Sequence, residues 1–151
     1  MIIRQLQIGP MDNFTYIVGC EETGKAMVID PGPDPQRIVS EANKQGLDIA
    51  LIVNTHGHGD HTAGNTALKE ITGAKIVIHS KDAKAYPPAD VQLTDETQLS
   101  VGEITFTVIH TPGHTPDAIT IFEEEDEVLF AGDLAMPVPY IVDADLEQFK
   151  A

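Results

Sequence analysis

Residues 49–53 (IALIV) are apolar at every position, and a polar residue bounds the run on each side, Asp48 and Asn54. A run of this length and uniformity reads as a β-strand buried on both faces, so other layers must cover both sides of its sheet. Residues 75–79 (KIVIH) read as another buried strand. Around them, short apolar stretches recur, each closed by Gly, Pro, Asn or Asp, the punctuation of strands joined by loops.

Residues 2–8 alternate apolar and polar side chains, as a half-exposed strand does. Residues 13–19 (NFTYIVG) and 25–30 (KAMVID) flank a turn at 21–24, the spacing of a β-hairpin. The stretch 30–35 (DPGPDP) then stops the sheet. Residues 36–45 place Ile38, Val39 and Ala42 on one helical face, with Gly46 as the C-terminal cap. A second helical pattern spans 62–72 and ends at Gly73. A short third one, 80–88, runs into Pro87-Pro88. After an acidic loop, 103–109 (EITFTVI), 118–122 (AITIF) and 128–131 (VLFA) read as consecutive strands. The acidic run 123–127 (EEEDE) is the solvated tip of a hairpin. Strands with interspersed helices place the chain in the α/β or α+β class.

The 151 residues suit one domain, residues 1–151, and no repeat or linker divides them. Nine Lys and Arg against 24 Asp and Glu leave a net charge of −15. Such a surface repels nucleic-acid phosphates and anionic lipid. Neither nucleic acid nor a membrane is an expected partner; a small-molecule substrate is. One cysteine, Cys20, excludes an intramolecular disulfide and any multi-cysteine zinc or iron–sulfur site. It reads as an inert core thiol, and Met11, Met27 and Met136 read as core or gap-filling residues. The first ten residues (MIIRQLQIGP) lack a signal-peptide core. No apolar run approaches the roughly 18 residues of a membrane helix, so a cytoplasmic protein is expected.

The chemistry is concentrated in residues 55–61, THGHGDH, directly after the buried run 49–53. His56, His58 and His61 with Asp60 supply imidazole and carboxylate donors of the kind that suit zinc or iron. Gly57 and Gly59 remove side-chain bulk, so that the backbone can turn the imidazoles toward one point. A helix starting near Thr62 would aim its N-terminal amides at the Asp60 carboxylate and favour its charged form. Two further strand ends carry the same chemistry. Residues 103–109 lead into His110-Thr111-Pro112-Gly113-His114, and residues 128–131 lead into Gly132-Asp133. In α/β sheets ligands gather beyond the carboxyl ends of strands, so three such ends argue for one site built from three loops.

THGHGDH, the later HTPGH, the Gly132-Asp133 pair and Asp30-Pro31-Gly32 after a strand together resemble the metallo-β-lactamase fold superfamily. Within it the chain is most similar to the glyoxalase II-like and persulfide dioxygenase-like branch. The resemblance implies an αββα sandwich of two mixed sheets with the metal site along one edge. It implies that His56, His58 and His114 form one metal subsite, that Asp60 and His61 form a second, and that Asp133 bridges both. The family pattern continues through a further helix and strand to a final histidine of the second subsite. Here 18 residues follow Asp133 and no histidine follows His114. Asp143, Asp145 or water would then fill the second subsite. Residues 138–142 and 146–149, together with a second copy of the chain in a homodimer, would cover the face left open.

Metal held by imidazoles and a carboxylate lowers the pKa of its bound water toward about 7 and supplies hydroxide at neutral pH. Hydroxide attacks an ester, thioester or lactam carbonyl, and Asp60 orients it and relays its proton. The expected activity is therefore a zinc-dependent hydrolase like hydroxyacylglutathione hydrolase, holding one or two zinc ions. The alternative uses mononuclear iron on His56, His114 and Asp133, activating O2 as the family's persulfide dioxygenases do. A third reading is a shortened, non-catalytic metal-binding relative. Outside this set, His79 reads as a packed histidine and His110 as a loop hydrogen-bonding group. Asp30 reads as a holder of the site loops, and Tyr140 as an oxyanion donor.

Overall fold

The computed structural model describes residues 1–81 and 89–135. Six strands form the first sheet: β1 (Ile2–Gln7), β2 (Phe14–Gly19), β3 (Lys25–Ile29), β4 (Asp48–Val53), β5 (Lys75–His79) and β6 (Val91–Leu93), in that spatial order. β1, β2 and β3 pair antiparallel, and β3 through β6 pair parallel. The second sheet runs β7 (Gln98–Val101), β8 (Ile104–His110), β9 (Ile119–Glu123) and β10 (Val128–Phe130), all antiparallel. A 3-10 turn, Gly132–Ala135, follows β10.

The sheets stack face to face. Val18, Met27, Ile29, Val53 and Val77 of the first meet Phe106, Val108, Ile119, Ile121 and Phe130 of the second. On the other face of the first sheet, Ile17, Val28, Ile52 and Ile76 pack against Ile38, Ala42 and Leu68. Those three belong to helices α1 (Pro35–Lys44) and α3 (Asn65–Thr72). β4 and β5 are thus covered on both sides, which is why 49–53 and 76–78 within them are apolar at every position. Among the described residues no helix lies against the outer face of the second sheet, and none is long and apolar enough to cross a membrane.

The first hairpin and α1 form close to the expected bounds. Pro35 takes the first helical position and the Asp34 side chain accepts from Arg37 N at 3.1 Å. The expected helix 62–72 divides instead. One turn, α2 (Gly59–Thr62), precedes it, and α3 begins only at Asn65. Gly64 causes the break. Its amide donates to Pro31 O at 2.9 Å, and a Cβ there would sit 2.3 Å from Gly32 O and 2.9 Å from Pro31 O. The site loop is therefore pressed against the β3–α1 connection at a point where only glycine fits. Gly64→Ala is expected to cost about 1–3 kcal/mol through overpacking, read as a lower urea midpoint with an unchanged slope.

Three other expectations are corrected. β6 and β7 lie within the stretch read as an acidic loop. Met11 is 68% exposed rather than core, whereas Met27 is fully buried. Glu123 is not part of a solvated tip: it is buried, and its carboxylate accepts from Glu125 N at 3.0 Å and Asp126 N at 2.8 Å, closing the β9–β10 turn. The expected helix 80–88, Met136, Tyr140, Asp143, Asp145 and the segments 138–142 and 146–149 lie outside the described residues.

Candidate metal centre

Every site residue sits just beyond the carboxyl end of a strand. β4 ends at Val53 and passes through Asn54 and Thr55 into His56. His58 is the N-terminal flanking residue of α2, its carbonyl accepting from His61 N at 3.0 Å and Thr62 N at 3.1 Å. Asp60 and His61 lie inside that single turn. Asp60 is therefore not presented to the amides of a helix beginning near Thr62, as the sequence pattern suggested. Gly59 also differs from expectation, since a Cβ there would meet nothing within 4 Å. His114 comes from the β8–β9 connection, and Asp133 from the 3-10 turn after β10.

The structure brings all six residues together. His56 Nε2 and His114 Nε2 each lie 3.1 Å from His58 Nδ1. Asp133 Oδ2 faces the same point, 3.4 Å from His114 Nε2 and 3.9 Å from His56 Nε2. These four ligand atoms lie within 4.8 Å of one another. Ligand atoms around one zinc ion at about 2.1 Å stand roughly 3–4 Å apart, so the set fits a transition-metal ion. The other carboxylate oxygen, Asp133 Oδ1, turns to His61 Nε2 at 3.4 Å, and Asp60 Oδ2 stands 3.8 Å from that nitrogen. One carboxylate thus faces two donor groups, in the arrangement of a bridging ligand.

The electrostatics follow from crowding four imidazoles and three carboxylates into one small, partly buried volume. Burial, reinforced by His61, His58 and His114, pushes His56 down to about 2 against the pull of Asp133, so one ring nitrogen keeps its lone pair for a ligand role. Burial also works to lower His61, but hydrogen bonds that its ring donates to the Asp133 and Asp30 carboxylates outweigh it and raise the group to about 10. An ion that takes His61 Nε2 therefore displaces a proton. Burial acts to raise Asp133, and His61 followed by His56 and His114 more than offsets it, holding the carboxyl below its ordinary range.

Around the ligands stand residues that orient them. Asp30, buried and with φ at +51°, accepts from Thr55 N at 2.7 Å and Thr55 Oγ1 at 2.6 Å, and lies 3.1 Å from His61 Nδ1. It holds the loops, as the sequence suggested, and fixes which His61 nitrogen faces the site. Gly132, at φ +51°, passes so close to Thr55 that a Cβ would fall 2.5 Å from Thr55 Oγ1. Sequence reasoning missed three partners. Asn54 donates to His61 O at 3.0 Å and is itself paired with Asn65. Asn13 donates to Asp60 Oδ2 at 2.6 Å. Only the loss of the apolar pattern at Asn54 marks any of them in the sequence. His79 and His110 stay outside the centre, stacked on each other with centroids 4.4 Å apart, and His110 Nε2 donates to Pro116 O at 2.9 Å.

Comparison with known proteins agrees with this geometry. Residues 8–146 match the metallo-beta-lactamase superfamily model. A hydroxyacylglutathione hydrolase from Rhodospirillum rubrum is 38% identical over 122 residues, covering 81% of this chain and 47% of that protein. The chain spans about half the length of the curated hydroxyacylglutathione hydrolases it matches. The crystal structure of ETHE1 from Myxococcus xanthus is 33% identical with a TM-score of 0.82, covering 90% of this chain and 59% of that one. TTHA1623, crystallised in a di-iron-bound form, is 26% identical with a TM-score of 0.81, covering 97% of this chain and 82% of that one. The hydrolase and ETHE1 likenesses support the glyoxalase II-like and persulfide dioxygenase-like branch. On its motifs, its fold and this match, the chain belongs to the metallo-beta-lactamase superfamily.

Proposed function

We propose that the chain is a zinc-dependent hydrolase of ester, thioester or related carbonyl substrates. The observation that carries this reading is Asp133, whose two oxygens face separate imidazole groups while Asp60 stands at the edge of the second. Zinc bound there would polarise a carbonyl and acidify water toward neutrality. His56, His58 and His114 would hold it through their ring nitrogens. Asp60, 35% exposed and fixed by Asn13, reaches the solvent side of the centre. Its carboxylate is placed to take a proton from the attacking water and to return it to the leaving group.

A cleft of about 620 Å³ runs from His61 and Asp133 past Asn13 to Phe14, Tyr16, Leu129 and Phe130. Its apolar walls suit the acyl part of a substrate. The named relatives make an acyl-glutathione thioester the first substrate to assay, and the net charge of −15 favours substrates with few anionic groups. A second reading places a single iron ion on His56, His114 and Asp133 for O2 chemistry; the di-iron-bound form of TTHA1623 supports iron as a metal for this fold. Metal analysis after purification without added metal, with parallel assays of thiol release and O2 uptake, separates them. Zinc with thiol release is the expected result. Iron with O2 uptake and no hydrolysis supports the second reading, and metal without either activity supports a non-catalytic relative.

A further inference from the structure

Asn13 lies in the β1–β2 connection, 47 residues from Asp60 in sequence. Its backbone is fixed on both sides: its carbonyl accepts from Ile8 N at 2.9 Å, and β2 begins at the next residue. Its amide Nδ2 is 2.6 Å from Asp60 Oδ2 and 3.2 Å from His61 Nε2, which are themselves 3.8 Å apart. This triangle is no wider than the spread of donor atoms around one ion, roughly 3–4 Å. Asp133 Oδ1 adds a fourth atom, 3.4 Å from His61 Nε2.

We infer that Asn13 is a protein ligand of the second metal ion, through its side-chain carbonyl. The inference rests on the reading of this site as a two-metal centre and adds to it a residue from a distant loop. As it stands, the amide NH2 satisfies the Asp60 carboxylate directly. A cation placed against Asp60 Oδ2 and His61 Nε2 repels that NH2. The side-chain amide is planar and its terminal torsion roughly two-fold. A half turn about Cβ–Cγ therefore exchanges Nδ2 for Oδ1 at nearly the same point, with no movement of the backbone. An amide oxygen beside carboxylate oxygens and an imidazole completes a donor set accepted by divalent ions.

Zinc uptake by the 151-residue chain, measured without substrate by metal analysis and competition with a chromophoric chelator, tests this. Wild type is expected to take up two ions. Asn13→Ala should keep the first and bind the second at least tenfold more weakly. Asn13→Asp distinguishes ligation from mere orientation of Asp60, because it keeps an oxygen at the position and removes the donating N–H. A ligand role requires Asn13→Asp to hold the second ion as tightly as wild type or more tightly. A second ion weakened in Asn13→Asp, or unchanged in Asn13→Ala, overturns the inference, as does a wild-type chain that takes up one ion only. Circular dichroism checks the fold of each variant, and Asn13→Asp alone decides the matter if Asn13→Ala does not fold. Absence of hydrolysis would count against the proposed function and leave the zinc result standing.

Discussion

Asp133→Asn is expected to leave the chain with at most one bound zinc and no measurable hydrolysis. Both oxygens of Asp133 are committed, Oδ2 toward His56 and His114 and Oδ1 toward His61. Asparagine keeps one acceptor and turns an N–H group toward whichever cation the other oxygen served. Losing an outer-shell partner typically weakens metal binding roughly 10–100-fold, and loss of a direct, shared ligand exceeds that. The carboxylate is also the negative charge that His61 and its neighbouring imidazoles lean on, so neither ion keeps its full electrostatic support. Zinc content by metal analysis and turnover of a thioester check the outcome together. Two ions at wild-type affinity would remove Asp133 from the centre.

Asp60→Asn is expected to separate chemistry from stability. Asp60 is partly exposed, sits in a one-turn helix, and has Asn13 and His61 as its neighbours. A surface change of this kind normally shifts stability by no more than about 0.5 kcal/mol. A carboxylate that orients water and moves its proton typically contributes about 10²- to 10⁴-fold to the rate. Turnover should therefore fall by several orders of magnitude while the thermal midpoint stays within a few degrees of wild type. Near-wild-type turnover would show that Asp60 handles no proton.

The candidate ligands were readable because they are local: THGHGDH follows a strand whose apolar run announces its burial, and His114 and Asp133 follow strands of the same kind. That those strand ends share one site was legible from the rule that ligands gather beyond the carboxyl ends of strands. Asn13 was not legible, since nothing in NFTYIVG distinguishes a ligand-facing asparagine from an ordinary strand start. Its role depends on a loop from another part of the sheet arriving beside α2. The split between α2 and α3 was hidden for the same reason. Gly64 falls inside the helical pattern 62–72, and only the carbonyls of Pro31 and Gly32 placed against it mark the break. β6 and β7 are three and four residues long, too short for a period-two pattern to stand out from the acidic residues around them. Glu123 belongs to a run of like charges, and only the turn geometry shows that its carboxylate closes a loop.

The site also lies on a seam. His56, His58, Asp60 and His61 follow a strand of the first sheet, whereas His114 and Asp133 follow strands of the second. Between them, Ile119 N donates to Thr55 O at 2.8 Å, and Gly132 is pressed against Thr55. An ion bound here would clasp the two halves of the sandwich, and its full ligand set would exist only after they had docked. Binding free energy is then shared with the closing of the interior around Phe106 and Ile121. Affinity for metal becomes a gauge of how well the sheets fit, so a core substitution far from any ligand would register as a looser grip on the ion.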